Sequence, residues 1–179
     1  MPEVAQKLIK QGFEVLLEAG AGTAAHYTDA AYEQAGVTLV ERGACFDADI
    51  VLKVRRPSDD EAAAVRSGAV YIGLLESCGD DPLIGRMAEN GVTVLGMERM
   101  PRISRAQSMD ALSSQSNIAG YRAVLEAAAH YGRFLPMMMT SAGSAKPARL
   151  VVLGAGVAGL QAIATARRLG ADVHAYDVR

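Results

Sequence analysis

The stretch LVVLGAGVAGL, residues 150–160, constrains the fold of this chain more than any other feature. An apolar run leads into Gly154-Ala155-Gly156-Val157-Ala158-Gly159, which fits the pattern G-x-G-x-x-G. The pattern is weak alone, but here a predicted strand precedes it and a predicted helix follows it. A second predicted strand then ends in Asp177, 23 positions beyond Gly154. This context predicts a dinucleotide-binding βαβ unit, placed near the end of a 179-residue chain.

Each glycine of this turn has its own physical reason. We expect Gly154 to make the tight turn, Gly156 to let a pyrophosphate approach the backbone, and Gly159 to let the helix pack on the strand. The helix N-terminus adds N–H donors and a positive dipole end. Asp177 is expected to accept hydrogen bonds from the adenosine ribose and to repel a 2′-phosphate, which favours NAD(H) over NADP(H). Arg179 opposes that preference, since an arginine accommodates phosphate. The alternative is an α/β turn with incidental glycines.

The first hundred residues alternate between predicted helices and strands. The strands are apolar runs rather than alternating patterns, as expected for a parallel sheet covered on both faces. They are predicted at 13–20, 37–41, 48–54, 69–75 and 92–98. Helices are predicted at 29–36, after the capping box Ser58-Asp59-Asp60-Glu61, and from Pro82 to about Asn90. The fold class is therefore α/β, with two Rossmann-like subdomains of which the second is represented only by its first βαβ unit.

The alternation of predicted helices and strands ends near residue 99. A polar segment, 99–117, leads into a predicted helix at 118–134 and then a connector. We expect an N-terminal subdomain at 1–135, a linker at 136–147 and the start of an NAD-binding subdomain at 148–179. Both ends are expected to be cut, because the chain starts on a helix without its preceding strand and stops after one βαβ unit.

Composition limits the setting of the protein. Its 18 basic and 20 acidic residues give a formal net charge of −2, which does not indicate nucleic acid or a membrane surface as partner. No apolar stretch approaches the ~18 residues of a spanning helix, and residues 1–12 are charged from the third residue and lack a signal-peptide core, so we expect the cytoplasm. Cys45 and Cys78 lack metal-type spacing. They are expected to be reduced thiols, and no metal site is predicted.

The polar segment offers two interpretations. One is a solvated loop followed by a helix capped by Ser113, Ser114 or Ser116. The other is a loop that holds a nicotinamide, whose carboxamide needs both donors and acceptors. The side chains available for that purpose are those of Arg102, Arg105, Gln107, Asp110, Ser113 and Gln115.

At this point the sequence resembles a known family, the NAD(H)-binding domain of the alpha subunit of proton-translocating NAD(P) transhydrogenase. The resemblance lies in RAQSMDALSSQSNIAGYRAV, VLGAGVAGLQAIATARRLGADVHAYDVR, EVLLEAGAGTAAHYTDAAYEQAG and ADIVLKVRRP. It implies that Arg102 and Asp110 hold the nicotinamide amide, and that Gln107 and Ser113 lie where two nicotinamide rings meet. These four are the predicted catalytic residues. The remaining predicted cofactor-binding residues are Gly154, Gly156, Val157, Ala158, Gly159, Asp177, Val178 and Arg179.

The resemblance also implies partners. It implies NAD(H) on this chain and NADP on a partner domain, with a membrane-spanning proton-channel domain, a homodimer, and a peripheral position on the inner membrane through the partners. Hydride transfer between two nicotinamides requires no general acid or base; it requires two ring carbons held roughly 3–3.5 Å apart with water excluded.

Alanine dehydrogenase is the alternative, because it resembles transhydrogenase in fold and in much of the sequence. Its reaction requires proton transfer, for which that family uses a His and a Lys. Lys53 stands where the lysine is expected, although a structural role is favoured for it. The strand end that would carry the histidine has Leu74, Leu75 and Glu76. His26, His130 and His174 are expected to be surface or structural residues. A third possibility is a truncated, inactive fragment that only binds a nucleotide or a partner subunit.

Overall fold

A computed structural model describes residues 1–77 and 79–178 of the chain. Cys78, expected to be a reduced thiol, and Arg179, a predicted cofactor-binding residue, lie outside the described residues. The chain divides into two compact units, Met1–Arg99 and Met100–Arg179. The predicted division at 135 and 147 does not coincide with this one and stays a prediction.

The first unit alternates helices with short parallel strands. Its elements are α1 (Pro2–Lys10), β1 (Leu16–Glu18), α2 (Asp29–Gln34), β2 (Thr38–Val40), β3 (Ile50–Lys53), α3 (Asp59–Ala64), β4 (Val70–Gly73), α4 (Pro82–Glu89) and β5 (Thr93–Gly96). Strand β1 pairs with β2, and β3, β4 and β5 form a second parallel sheet in that order. Each of the five predicted strands is present, although each is shorter than its apolar run.

The helix starts of this unit follow the capping signals of the sequence. Ser58 accepts a hydrogen bond from the Glu61 N–H, and the Glu61 carboxylate accepts one from the Ser58 N–H at 2.8 Å, which completes the predicted capping box. Asp81 caps α4 by accepting from the Leu83 N–H, and Pro82 occupies the first helical position. Both helices therefore begin where the sequence predicts.

The core of the first unit lies between the β3–β5 sheet and the helices α3 and α4. Tyr71 on β4 is fully buried, together with Val65, Leu75 and Met87. A separate small cluster joins α1, α2 and β2 through buried side chains of Ala5, Tyr32 and Val37. These two clusters bury only part of each apolar run, since Ile50, Leu52 and Leu95 are exposed. The expectation of a sheet covered on both faces is thus not met in the first unit, because α3 and α4 cover one face of β3–β5.

The second unit contains the glycine-rich turn. Its elements are α5 (Ala111–Tyr131), an antiparallel hairpin of β6 (Met138–Thr140) and β7 (Gly143–Ala145), then β8 (Arg149–Leu153), α6 (Val157–Arg168) and β9 (Asp172–Tyr176). Strands β8 and β9 pair in parallel, with Leu150 opposite Val173 and Val152 opposite Ala175. The predicted βαβ unit is thus present, and the fold is α/β with parallel sheets.

The predicted start of the long helix and its predicted N-cap were wrong. Helix α5 starts at Ala111 rather than near 118, because Asp110, and not Ser113, Ser114 or Ser116, is the N-cap. The polar residues that follow Asp110 form the first turns of the helix instead of a loop. The connector at 136–147 carries the β6–β7 hairpin, whose exposed strands show no apolar alternation in the sequence.

None of the helices in the described part of the chain combines the length and apolar character needed to cross a membrane.

Candidate functional site

The glycine-rich turn between β8 and α6 has the geometry that its sequence predicts. Gly154 adopts a φ of +97°, which side-chain-bearing residues rarely tolerate. A Cβ at Gly159 would lie 2.8 Å from the Gly154 carbonyl carbon, so the first turn of α6 sits directly on the turn. Gly156 is the N-cap of α6 and has no side chain with which to bond the first-turn N–H groups. Those groups are thus placed to bind an external acceptor.

Asp177 lies at the same turn. Its carboxylate accepts a hydrogen bond from the Ala155 N–H at 2.6 Å, which holds the acid at the end of β9 against the glycine turn. The next residue, Val178, is 87% exposed, and Val157 in the first turn of α6 is also exposed. The structure thus brings the predicted cofactor-binding residues of the turn together, apart from Arg179, which lies outside the described residues.

Asp110 is held rigidly at the start of α5. Its two carboxylate oxygens accept from the Ser113 N–H at 2.9 Å and from the Ser113 hydroxyl at 2.6 Å. The hydrogen bonds from Ser113 are the main cause that lowers the pKa of the Asp110 carboxyl, and the nearby charge of Arg102 acts in the same direction. Asp110 is therefore an ionised acceptor at neutral pH, with its orientation fixed by Ser113.

Arg102 and Gln107 lie on the segment that precedes α5. Residues Ser104–Met109 form a 3-10 helix, and the Gln107 carbonyl accepts from the Asp110 N–H. Both side chains are exposed, whereas Ala106 between them is buried and anchors the segment. The structure thus groups Asp110 with Ser113, places Arg102 within electrostatic reach of Asp110, and leaves Gln107 on the surface of the same segment.

Helices α5 and α6 meet at Gly120, a contact that was not predicted from the sequence. A Cβ at Gly120 would lie 2.8 Å from the Ala158 carbonyl carbon and 3.0 Å from its Cα. The close approach joins the helix that Asp110 caps to the first turn after the glycine-rich turn. A glycine inside a run of good helix formers, IAGYRAVLEAAA, was the available signal.

Lys53 occupies the carboxyl end of β3. Its Nζ lies 3.3 Å from the Glu61 carboxylate, which also pairs with Arg42 at 2.7 Å. Lys53 is therefore part of an ion-pair cluster at the start of α3, as expected for a structural role. At the end of β4, Leu75 is buried and Glu76 is exposed.

The three histidines are all exposed, as predicted. His130 lies 3.8 Å from Glu126, and His174 lies 3.3 Å from Asp172. In residues 1–77 and 79–178, no group of three or more His, Cys, Asp or Glu side chains is arranged to hold a metal ion. His130 and His174 thus make local surface contacts.

A second group of polar contacts closes the carboxyl end of the β3–β5 sheet. Arg56 donates to the Leu75 carbonyl at 2.6 Å and forms a bidentate pair with Asp81. Burial opposes ionisation of Glu98, but hydrogen bonds from its own N–H and from the N–H groups of Leu75 and Ser77 lower the pKa of its carboxyl.

These contacts border a cleft of about 680 Å³ in the first unit. Its described lining residues all fall between positions 75 and 99, and therefore lie outside the predicted dinucleotide site.

The chain is similar to known proteins along its whole length. The family model "Alanine dehydrogenase/PNT, N-terminal domain" matches residues 1–119, and "Alanine dehydrogenase/PNT, C-terminal domain" matches residues 123–179. An NAD(P) transhydrogenase alpha subunit of Rhodospirillum rubrum is 52% identical over 185 residues, which cover 99% of this chain and 48% of that protein. An alanine dehydrogenase of Mycobacterium tuberculosis is 31% identical over 182 residues, with 99% and 48% covered.

A solved structure gives the same result. The crystal structure of transhydrogenase from Sinorhizobium meliloti matches with a TM-score of 0.96 and 54% identity, over 100% of this chain and 54% of that one. The chain therefore spans about half the length of the relatives that it matches.

Proposed function

The chain belongs to the alanine dehydrogenase/PNT family, and from this membership we propose that it is the NAD(H)-binding component of an NAD(P) transhydrogenase. In this proposal the chain takes part in direct hydride transfer between NAD(H) and NADP(H). Partner domains couple that transfer to proton translocation. The relatives named transhydrogenase, at 52% and 54% identity, support this assignment over the alanine dehydrogenase at 31%.

One structural observation carries the proposal. The fixed Asp110–Ser113 pair at the start of α5 and the glycine-rich turn at the start of α6 lie in one compact unit, on helices that touch at Gly120. A dinucleotide needs two such places, an anion site for its pyrophosphate and a polar site for its nicotinamide carboxamide. Their pairing supports a single NAD(H) site.

The residues present fit NAD(H). In the proposal, the first-turn N–H groups of α6 bind the pyrophosphate. Gly159 packs directly against the Gly154 carbonyl, so no side chain at these two glycines obstructs the turn. Asp177, held by the Ala155 N–H, accepts the adenosine ribose hydroxyls and disfavours a 2′-phosphate. NADP(H) is accordingly assigned to a partner domain.

When bound, NADH supplies the hydride, and the residues of this chain position and orient the ring that carries it. The ionised Asp110 accepts from the carboxamide N–H₂ and Arg102 donates to its carbonyl oxygen, which fixes the face that the ring presents. Ser113 keeps Asp110 in place, and Gln107 lies on the exposed side where a second nicotinamide would approach. No described side chain is required to transfer a proton, because hydride transfer changes no protonation state at the reacting carbons.

The relatives are named as a subunit, which supports partner domains for this chain. We assign to them an NADP(H)-binding domain and a membrane-spanning proton-channel domain. We also assign to this chain a homodimeric state and a cytoplasmic position at the inner membrane through those partners.

The proposal is tested by hydride transfer from NADH to an NADP analogue, with a separately purified NADP(H)-binding domain added to this chain. The function is supported if hydride transfer requires both proteins and if its rate is lower with the Asp110→Asn variant than with the wild type. The corresponding control is Asp60→Asn, an exposed acid in the first unit. NADH binding without any transfer would reduce the assignment to a nucleotide-binding protein.

An amino-acid dehydrogenase is the second candidate, favoured by the 31% identity to the M. tuberculosis enzyme and by Lys53 at the end of β3. The Lys53–Glu61 ion pair and the leucines at the end of β4 argue against it. NADH formation from L-alanine and NAD⁺ by this chain, abolished by Lys53→Met, would establish that activity instead.

A further inference from the structure

Gly120 is an unusual residue for its position. It is the tenth residue of the 21-residue helix α5, where glycine costs roughly 1 kcal/mol relative to alanine. It is also buried, and an added Cβ would overlap the carbonyl group of Ala158. Because the obstructing atoms belong to the backbone of α6, no side-chain rotation could relieve the overlap. Gly120 is thus the point at which the two helices are in backbone contact.

The partner in this contact is the first turn of α6. Ala158 lies between Gly156 and Gly159, so α5 covers one side of that turn at Gly120. The same turn also rests on the Gly154 carbonyl and on Val152 of β8, 3.5 Å from the position of a Gly159 Cβ. Close backbone contacts at Gly120 and at Gly159 therefore both determine where the first turn of α6 lies.

Asp110 and Gly120 lie on the same helix, so the position of Gly120 affects the position of Asp110. Gly120 lies ten positions after Asp110, which at 1.5 Å per residue is about 15 Å along a continuous helix. A continuous α-helix is stiff, so a displacement at Gly120 moves the Asp110–Ser113 pair relative to the glycine-rich turn. Restoring an ordinary carbon–oxygen contact at position 120 requires a shift on the order of 1 Å.

We propose that Gly120 is a positioning residue, which sets the spacing between the pyrophosphate-binding turn of α6 and the nicotinamide-binding start of α5. The inference rests on the proposed function and specifies how one NAD(H) is held at both ends at once. A 1 Å misplacement of positioned groups costs as much as about 100-fold in reaction rate, and a ligand that must engage both sites at once should lose affinity for the same geometric reason. Ligands that use only the α6 turn should be far less sensitive, because Gly159 keeps that turn on β8 while α5 moves away.

The test compares NADH with ADP-ribose, which retains the adenosine and pyrophosphate but lacks the nicotinamide. Dissociation constants of both are measured by titration calorimetry for the wild-type chain and for Gly120→Ala. We expect the Kd of NADH to rise about 10-fold or more, and the Kd of ADP-ribose to change less than about 3-fold. An equal loss of both ligands, or no loss of either, would overturn the inference.

Two matched controls separate positioning from stability. Gly85→Ala adds a methyl to a helical glycine of α4 with open space around its Cβ, and should leave both constants unchanged. Val124→Ala removes buried volume one turn beyond Gly120 on the same face of α5 without pushing the helices apart. It should lower the urea midpoint and keep the NADH to ADP-ribose ratio of the wild type; a changed ratio would contradict the proposal.

A milder variant covers the case in which Gly120→Ala does not fold. Val124→Leu adds one methylene to the buried face of α5. Like Gly120→Ala, it should raise the Kd of NADH relative to that of ADP-ribose, here by about 3-fold. An unchanged ratio in the folded variant would count against the proposal. Failure of the wild-type chain to bind NADH at all would instead contradict the proposed function, so the two failures are distinguishable.

Discussion

Asp110 combines two roles at one residue, the N-cap of α5 and the proposed acceptor for the nicotinamide amide. The roles separate on substitution, because asparagine caps helices about as well as aspartate but carries no charge. Asp110→Asn should therefore keep the urea midpoint nearly unchanged and weaken NADH binding about 10-fold. Asp110→Ala should in addition lose about 1 kcal/mol of unfolding free energy. Equal NADH affinity in the wild type and Asp110→Asn would contradict the proposed role of Asp110 in binding the nicotinamide.

Asp177 determines the proposed choice between NADH and NADPH. Asparagine at this position retains an acceptor for the Ala155 N–H and removes the charge that opposes a 2′-phosphate. Asp177→Asn should lower the affinity for NADH about 10-fold and raise the affinity for NADPH relative to NADH. Asp172→Asn, at the opposite end of β9, is the control and should leave the ratio of the two affinities unchanged. Fluorescence titration with both nucleotides makes the comparison, and an unaltered ratio in Asp177→Asn would count against the assignment.

Single residues could be predicted where a rule of backbone chemistry acts locally. The positive φ of Gly154 and the tight seat of Gly159 follow from the G-x-G-x-x-G pattern itself. Gly120 could have been noticed as a glycine inside a helical run, but its role could not be predicted, since that role depends on a helix crossing with a segment almost forty positions away in the sequence. The ion pair of Lys53 with Glu61 likewise depends on how β3 and α3 meet.

Among the elements, α3 depends on a charge at its capping box. The Ser58 N–H, with Arg42 and Lys53, lowers the pKa of Glu61 from 4.5 to about 2. A carboxyl with a depressed pKa in the folded state stabilises the fold above its ordinary pKa, and this contribution is lost as the pH falls from 4.5 to about 2. Glutamine retains the capping bond without titrating. The urea midpoint should therefore fall less between about pH 7 and pH 3 in Glu61→Gln than in the wild type.

The matched control for this measurement is Asp60→Asn, which removes an exposed first-turn charge outside the capping box. It should retain most of the wild-type fall in midpoint on acidification. Parallel curves for the wild type and Glu61→Gln would show that the capping box does not contribute to acid sensitivity.

Elements could be predicted where their ends are marked in the sequence, as by Ser58 and Glu61 for α3 and by Pro82 for α4. The start of α5 was missed because its first turns are polar and packing against α6 outweighs their weak local preference. The aspartate at 110 was a usable N-cap signal. The β6–β7 hairpin, with exposed strands of three residues each, leaves no apolar period to detect.

For the whole molecule, the α/β class and the parallel pairing were predicted correctly from apolar runs alternating with helices. The strands of the first unit form two separate sheets, β1–β2 and β3–β5, and strand pairing of this kind is set by tertiary contacts. The glycine-rich turn and the Asp110–Ser113 pair fall within the second compact unit. That arrangement is what allows a single NAD(H) site to be proposed within Met100–Arg179.

The most direct test of this account is a map of backbone amide chemical shifts of the ¹⁵N-labelled chain on titration with NADH and, separately, with ADP-ribose. Our account predicts that both ligands shift the amides of 154–159, and that only NADH shifts those of 102–113. It would be contradicted if saturating NADH left residues 102–113 unshifted, or if the two ligands gave the same map.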